Sequence, residues 1–204
     1  MCVLSSYKTI EAPVESVLFK EKGSKFIGYL FPVENEDQVK QVLESVKKKY
    51  HDARHWCYAY RLGYEGNVYR VNDDGEPGNT AGAPIHGRLL AYEVTNTFLV
   101  VVRYFGGVKL GVGGLIKSYR ACAQNTLNEA IIVEREIKET FTVVCSYSSM
   151  NQVMRIVKSK QLDVVSQTMH LECRLVLSTS VAFVKQVKQA FIGIKDVKLV
   201  LKDE

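Results

Sequence analysis

The chain has 204 residues, of which 47% are hydrophobic and 24% are charged, a composition typical of globular proteins that bury a core. It contains no apolar run of about 18 residues and no basic, apolar start, so we expect neither a membrane span nor a signal peptide. The five cysteines form no CxxC pair and no metal-ligand spacing, which predicts free thiols in a reducing cytoplasm.

The positive charge is concentrated towards the C terminus. Residues 1–136 carry 17 Lys and Arg against 16 Asp and Glu, whereas residues 137–204 carry 10 against 6, within a net charge of +5. A basic C-terminal third suits a nucleic-acid partner. On charge alone, however, a solvated, lysine-rich surface is the favoured explanation.

The first part of the chain predicts a strand hairpin, a helix and a second pair of strands. Alternation predicts the hairpin over residues 14–20 and 25–31, and helical spacing predicts the helix over residues 34–50. The helix has acidic residues in its first turn and three lysines in its last, which complements the helix dipole. The second strand pair is predicted over residues 54–62 and 68–71.

A turn-rich acidic segment, residues 72–82, precedes a helix predicted over residues 85–92. Its Asp73, Asp74 and Glu76 are candidates to bind a divalent cation or to act as acid and base. The segment lacks the EF-hand pattern, however, and Asp-Gly and Glu-Pro are ordinary turn formers. Residues 80–82 open a second possible anion site at the start of the helix.

His55 and Cys57 suggest a thiol–imidazole pair, but they stand two apart on a predicted strand. That spacing separates their backbones by about 6–7 Å, so we expect Cys57 to be a buried strand residue. No Ser-His-Asp order, HExxH or GxSxG motif is present. The sequence therefore predicts no catalytic residue, no metal site and no cofactor.

The most informative stretch runs from residue 100 to residue 114. A buried strand predicted over residues 98–102 leads into five glycines, and a helix is predicted over residues 115–130. Such a junction presents free N–H groups to an anion, although glycines can also serve close packing. The spacing fits neither a P-loop nor a dinucleotide-binding fingerprint. The candidate residues for binding nucleic acid or another anion are Arg103, Tyr104, Gly106, Gly107, Lys109, Gly111, Gly113, Gly114, Lys117 and Arg120.

From residue 137 the pattern predicts the order β-α-β-β-α-β, the split βαβ or ferredoxin-like arrangement. Ser148 or Ser149 is predicted to cap the first helix and Ser180 the second. The predicted strands cover residues 140–147, 163–167, 171–179 and 197–201. A short charged link near residues 133–138 separates this part from the first.

Three segments, residues 53–60, 72–85 and 100–119, resemble the IMPACT/YigZ family. The resemblance spans roughly residues 15–133, and at Gly78-Asn79 the chain departs from the small residue and glycine that are usual there. The family motif residues, expected to line one cleft, are His55, Asp73, Asp74, Gly75, Glu76, Pro77, Thr80, Ala81 and Gly82.

The resemblance implies an α+β protein of two domains. Residues 1–134 would form a ribosomal protein S5 domain 2-like domain, a mixed sheet with helices on one side. Residues 137–204 would form a ferredoxin-like domain similar to one in translation elongation factor G. Eukaryotic members regulate translation by competing for an activator of a stress kinase that phosphorylates an initiation factor, and they carry an extra N-terminal partner-binding domain. This chain begins directly with the shared domain, so we expect the bacterial layout and no kinase pathway.

The leading hypothesis is a cytoplasmic, non-enzymatic, translation-associated protein that binds RNA, the ribosome or a translation factor. In this hypothesis Arg103, Lys109, Lys117 and Arg120 contact phosphates, and Tyr104 either stacks on a base or packs internally. The alternative is an enzyme, such as a hydrolase, or a small-ligand binder. There Asp74 and Glu76 would hold a metal or activate water on an anionic substrate. A third hypothesis is a protein adaptor that uses the same loop; the sequence does not define the oligomeric state.

Overall fold

The computed structural model describes residues 4–200, which form two compact units. Ser6–Arg135 form the larger unit, and residues 4–5 together with 136–200 form the smaller one. The terminal residues 1–3 and 201–204, which belong to the two expected domains, lie outside the described residues, as does Leu201 of the last predicted strand. Within residues 4–200, no helix combines the length and apolarity needed to cross a membrane.

The larger unit contains seven strands and three helices. The strands are β1 (Ser6–Ile10), β2 (Val14–Glu21), β3 (Ser24–Pro32), β4 (His55–Leu62), β5 (Val68–Asn72), β6 (Thr97–Tyr104) and β7 (Ile132–Glu136). The helices are α1 (Glu36–Lys49), α2 (Gly82–Ala91) and α3 (Gly111–Asn128). The predicted hairpin, the strand pair β4–β5 and the buried strand before the glycines are confirmed.

A five-stranded sheet in the order β2-β3-β6-β4-β5 forms the centre of the larger unit. All four strand pairings are antiparallel, so the expected mixed sheet is wrong. The strand β6 lies in the middle, and its first seven residues are buried because both of its faces are covered. β1 and β7 form a separate two-stranded sheet.

Helices cover both faces of the five-stranded sheet, which corrects the expectation of helices on one side. One core contains side chains of α2 and α3, namely Ile85, Leu89, Leu115, Tyr119, Cys122, Ala123 and Leu127, packed on strand residues such as Cys57 and Leu99. The other contains Val39 and Val46 of α1, packed on residues such as Tyr60 and Val100. Adjacent residues of a strand point to opposite faces, so both cores draw on β4 and β6.

The helix α1 forms where its spacing and end residues predict it. Asn35 caps its start by accepting a hydrogen bond from the Gln38 amide at 2.9 Å. Acidic residues occupy the first turn and Lys47, Lys48 and Lys49 occupy the last, where they complement the helix dipole. The lysine run is therefore explained by the end of a helix.

The smaller unit contains β8 (Lys138–Cys145), α4 (Met150–Ser159), β9 (Asp163–Met169), β10 (Cys173–Ser180), α5 (Val184–Phe191) and β11 (Val197–Val200). Its strands form one antiparallel sheet in the order β11-β8-β10-β9. Apolar side chains of α4 and α5 pack with those of β8 and β10 in a single core. The predicted order of elements is confirmed.

The predicted side-chain caps of this unit are wrong. Ser149 precedes α4, but its hydroxyl donates to the carbonyl of Lys195 at 2.8 Å and leaves the helix uncapped. Ser180 ends β10, and α5 begins only after Phe183, whose amide donates to the Ser180 carbonyl at 2.9 Å. The Ser149 hydroxyl is thus taken up by a carbonyl remote in sequence, and Ser180 lies too far before α5 to cap it.

Gly28 allows α3 to lie directly on β3. A Cβ at this position would lie 1.9 Å from Thr126 Oγ1 and 3.3 Å from Cys122 Sγ, both on α3. No side chain larger than hydrogen fits without moving the helix.

We expect Gly28→Ala to lower the free energy of unfolding of the larger unit by about 1–3 kcal/mol, because the methyl group over-packs the β3–α3 contact. Adding Thr126→Ala should restore part of the loss, since it removes the nearest atom. Gly87→Ala on α2 is the control, because its methyl group would enter open space. Urea unfolding followed by the fluorescence of Trp56, the single tryptophan, measures all three variants; equal effects of the two glycine substitutions would contradict the packing argument.

Candidate functional site

The acidic turn between β5 and α2 is built around the carboxylate of Asp73. One oxygen accepts hydrogen bonds from the amides of Ala81 and Gly82, each at 2.9 Å, and the other accepts from the Asn79 amide at 2.8 Å. Asp73 therefore supplies the negative charge that the start of α2 attracts. Asn79, at the departure from the family pattern, has a φ of 64°, which asparagine tolerates better than most residues.

Asp74 fastens the same turn to β4. Its carboxylate accepts from the Trp56 amide at 2.7 Å, and its carbonyl accepts from His55 Nδ1 at 2.8 Å. The turn geometry requires left-handed backbone at Asp74 and Gly75, with φ of 41° and 83°. His55 thus holds the turn rather than standing free as a base.

Glu76 forms a buried ion pair with Arg103 at the end of β6. The distance from Nη1 to Oε1 is 2.6 Å, and the two side chains are 6% and 4% exposed. The same Glu76 oxygen accepts from the Tyr119 hydroxyl of α3 at 2.8 Å. Arg103 also lies 5.4 Å from the centre of the Phe26 ring. The acidic turn, the central strand and α3 are therefore joined at one point.

Cys57 lies beneath this ion pair. Its Sγ is 3.2 Å from the Tyr119 hydroxyl and 3.0 Å from the carbonyl oxygen of Asp73. Burial raises the pKa of the Cys57 thiol and that of the Tyr119 hydroxyl well above their ordinary values. Cys57 is thus a neutral core residue at physiological pH, as expected from the sequence. We call the joined side chains of Asp73, Asp74, Glu76, Arg103, Tyr119 and Cys57 the acidic-turn network.

Other motif residues also have internal roles. Thr80 is buried and donates from its hydroxyl to the Pro77 carbonyl at 2.6 Å. A Cβ at Gly82 would lie 2.7 Å from the Asn72 amide nitrogen, so glycine permits this close approach. Within residues 4–200, no group of three His, Cys, Asp or Glu side chains could hold a metal ion. The placement of Asp74 and Glu76 gives no support to the alternative of a metal site or a general base.

The glycine loop starts at a point of backbone contact. A Cβ at Gly106 would lie 1.9 Å from the carbonyl carbon of Gly23 in the β2–β3 turn, so the two turns touch. The Gly106 amide donates to Ser24 Oγ at 3.2 Å, next to the Arg103 guanidinium. The acidic-turn network thereby positions the first residue of the loop.

Beyond Gly106 the loop is open to solvent. Gly107 and Gly111 have φ of 86° and 71°, and an added Cβ would meet nothing within 4 Å at either position or at Gly113. α3 begins at Gly111, four residues before its predicted start, and Leu110 caps it without a side-chain hydrogen bond. Gly111, Gly113 and Gly114 therefore belong to the first helical turn, whose amides have no intrahelical acceptor.

The predicted cations separate into two classes. Lys109, Lys117 and Arg120 are exposed, and within residues 4–200 none of them pairs with a carboxylate. Gly113, Lys117 and Arg120 stand four and three residues apart, so they share one face of α3. Arg103 is buried in its ion pair and does not lie among the exposed cations.

The structure adds residues that the sequence analysis missed. Phe105 is 56% exposed, whereas Tyr104 packs its ring 6.4 Å from that of Tyr50 and donates to Asp52 at 2.5 Å. Lys22 and Lys25 are exposed and flank the Gly23 contact. Strand alternation could have placed Phe105 opposite Tyr104, but no sequence signal joins the β2–β3 turn to the loop. We call residues 105–114 with Lys117 and Arg120 the loop surface.

The acidic-turn network predicts a large effect of a small substitution. Glu76→Gln keeps the shape of the side chain but leaves the buried Arg103 without a countercharge, so we expect a loss of about 3–5 kcal/mol in unfolding free energy. The matched control is Glu93→Gln, which removes an ion pair to Lys8 that is also 2.6 Å long but exposed. Its expected cost is below about 1 kcal/mol. Urea unfolding followed by Trp56 fluorescence checks both variants, and similar losses would contradict the structural role of the pair.

Comparison with known proteins agrees with this architecture. The Impact N-terminal domain model matches residues 22–127, which include the acidic turn and the loop surface. A solved crystal structure of a hypothetical protein has a TM-score of 0.75 and 28% identity, and the match covers 99% of this chain and 100% of that chain.

Two curated relatives carry the family name. The IMPACT family member YvyE of Bacillus subtilis is 35% identical over 159 residues, 78% of this chain and 73% of that protein. The IMPACT family member YigZ of Escherichia coli is 33% identical over 152 residues, 74% of each chain. On the domain match and on these similarities, the chain belongs to the IMPACT family.

Proposed function

We propose that this protein is a non-enzymatic, cytoplasmic, translation-associated regulator that binds RNA on the ribosome through the loop surface. Membership of the IMPACT family supports the role in translation, because translation is what the eukaryotic members regulate. The observation that carries RNA binding is the set of exposed, unpaired cations around an uncapped helix start. Phosphate groups need this combination of positive charge and free amides.

The loop surface is well suited to a flexible anionic chain. Lys109 lies in the loop, and Lys117 and Arg120 continue along one exposed face of α3. The open positions Gly107 and Gly113 let a phosphate approach the backbone closely. The exposed ring of Phe105 is available to stack on an unpaired base. Arg103 contributes indirectly, because it pairs with Glu76 and lies next to Ser24, which accepts a hydrogen bond from the Gly106 amide.

The folds of the two units support the same proposal. We propose that the larger unit, expected over residues 1–134, is a variant of the ribosomal protein S5 domain 2-like fold, with an antiparallel five-stranded sheet and helices on both of its faces. We assign the smaller unit, expected over residues 137–204, to the ferredoxin-like fold. The support for the second assignment is the order β-α-β-β-α-β with the sheet order β11-β8-β10-β9.

A second candidate is docking to a translation factor through the same surface. Phe105, Val108 and Val112 are all more than half exposed, and exposed apolar side chains close together often mark protein contacts. The two candidates differ in salt dependence, because phosphate contacts release counterions and apolar contacts do not.

We expect Lys109→Ala to weaken binding to purified ribosomes and to a labelled single-stranded RNA oligonucleotide. The slope of log affinity against log salt should flatten by about one, because one phosphate contact is lost. Lys48→Ala is the control, because Lys48 is exposed and unpaired within residues 4–200 but lies on α1, across the sheet from α3. Co-sedimentation and fluorescence anisotropy over a salt series measure the effect. Affinity that neither salt nor Lys109→Ala changes would contradict RNA binding, and salt-independent ribosome binding would favour protein docking.

Gly113→Ala tests RNA binding by the backbone of the helix start without lowering the stability of the protein. The methyl group would enter open space in the first turn of α3, so we expect unchanged or higher stability, by up to about 1 kcal/mol, since alanine favours helix. The same methyl group should weaken RNA binding by covering the amides that a phosphate approaches. Gly87→Ala, in open space on α2, is the matched control and should leave binding unchanged. If Gly113→Ala binds RNA as tightly as the wild type, the backbone of the helix start has no part in recognition.

A further inference from the structure

The two larger sheets expose four edge strands, and three of them are protected against pairing with another chain. β2 carries Glu15, Lys20 and Glu21, and its register is broken near Ser16, whose φ is 62°. β5 has Arg70 at its centre, and β11 contains Lys198. Charges, irregular backbone and short length are the usual means by which edge strands avoid association.

β9 shares only one of these features, a bulge at Val165, and otherwise lacks protection. It is seven residues long, every residue is exposed, and it pairs with β10 alone. Between Asp163 and Met169 its sequence is VVSQTM, without charge, proline or glycine. Asp163 itself is neutralised by Lys138 at 2.6 Å. Val165 is an extra residue of β9 between the partners of Val176 and Leu177 of β10. Within the described residues, the backbone groups on the outer side of β9 have no strand partner.

We propose that β9 is a dimerisation edge that pairs antiparallel with β9 of a second copy of this chain. Two four-stranded sheets would then join into one eight-stranded sheet about a two-fold axis. With the axis at Ser166, Val165 faces Gln167 and Asp163 faces Met169 of the other copy. No two like charges meet in this arrangement, so the strand is complementary to itself.

A second copy fits this edge better than an unrelated extended peptide does. An edge strand binds a particular peptide selectively only where pockets beside it recognise the peptide's side chains. β9 presents a neutral row of small and medium side chains instead. Leu171, which follows the strand and is 99% exposed, would extend the contact over the α4–β9 turn of the second copy. The excess of positive charge in residues 137–204 predicts that salt strengthens this dimer, opposite to its effect on RNA binding.

Sedimentation velocity over a concentration series tests the dimer. We expect a reversible dimer with a dissociation constant of about 1–100 μM, which Val165→Lys raises at least about tenfold, because it puts cations of both copies beside the axis. Val68→Lys on β5 is the matched control, since Val68 is 54% exposed and Val165 58% exposed. Val68→Lys should leave the constant unchanged. A chain that stays monomeric at about 300 μM would overturn the proposal, even if β9 then bound a peptide of another protein. Equal effects of the two variants would also overturn it.

Cross-linking tests the register independently. With Cys2 replaced by serine, the remaining cysteines are buried, so an introduced thiol on β9 is the accessible one. Ser166→Cys should form a covalent dimer rapidly with a short bis-maleimide, because residue 166 faces itself. Thr168→Cys, opposite residue 164 of the other copy, should react more slowly by at least about fivefold, since Cβ separations grow quickly away from the axis. Equal rates for the two variants would indicate random collision and overturn the paired register.

Discussion

The larger unit depends on one buried ion pair, between Glu76 of the acidic turn and Arg103 of the central strand. Removing both charges from water is costly, and the cost is offset only where the geometry is good and the remaining polar atoms have partners. Here the distance is 2.6 Å and the Tyr119 hydroxyl donates to the same carboxylate oxygen, whereas the buried Nε of Arg103 has no partner, so the compensation is incomplete. Because the three residues come from a turn, a strand and a helix, a local ionic contact determines how distant parts of the chain meet.

The residues of the family motifs have different structural roles around this ion pair. Asp73 and Asp74 accept hydrogen bonds from backbone amides, so two of the three carboxylates that suggested acid–base chemistry are part of the turn itself. The glycines divide likewise: Gly106 permits contact with another backbone, whereas Gly113 faces open space. The contact with the Gly23 backbone explains why residue 106 is a glycine, whereas the proposed approach of a ligand would explain Gly113.

Much of the fold is predictable from residue periodicity, because periodicity reports which faces are buried. The hairpin β2–β3, the helix α1 and the order of elements after residue 136 follow from it. Helix starts and caps are less predictable, because they depend on partners such as the Lys195 carbonyl that are remote in sequence. The coverage of both sheet faces also required the structure, since the aromatic residues of β4 are compatible with either arrangement.

The sequence indicated which types of residue belong to the candidate site, but it did not indicate the role of each residue. Arg103 and Lys109 are equivalent as cations in the sequence, yet one is buried and the other exposed. The difference arises from Glu76, which lies 27 positions before Arg103. Nothing in the sequence shows that these two residues form a pair. Tyr104 packs internally, and the exposed aromatic ring is that of its neighbour Phe105, because adjacent residues leave the sheet on opposite sides.

The way the loop is attached has a consequence for variation. Only its first residue, Gly106, is held by Ser24 and by the Gly23 contact, and the side chains that follow share no hydrogen bond with the core. Mutations at the exposed positions Val108, Lys109 and Val112 can therefore alter the choice of partner at little thermodynamic cost. Gly107 and Gly111, with positive φ, and Leu110, which packs on the core, are more constrained. A protein arranged in this way can acquire new binding preferences while its scaffold stays the same.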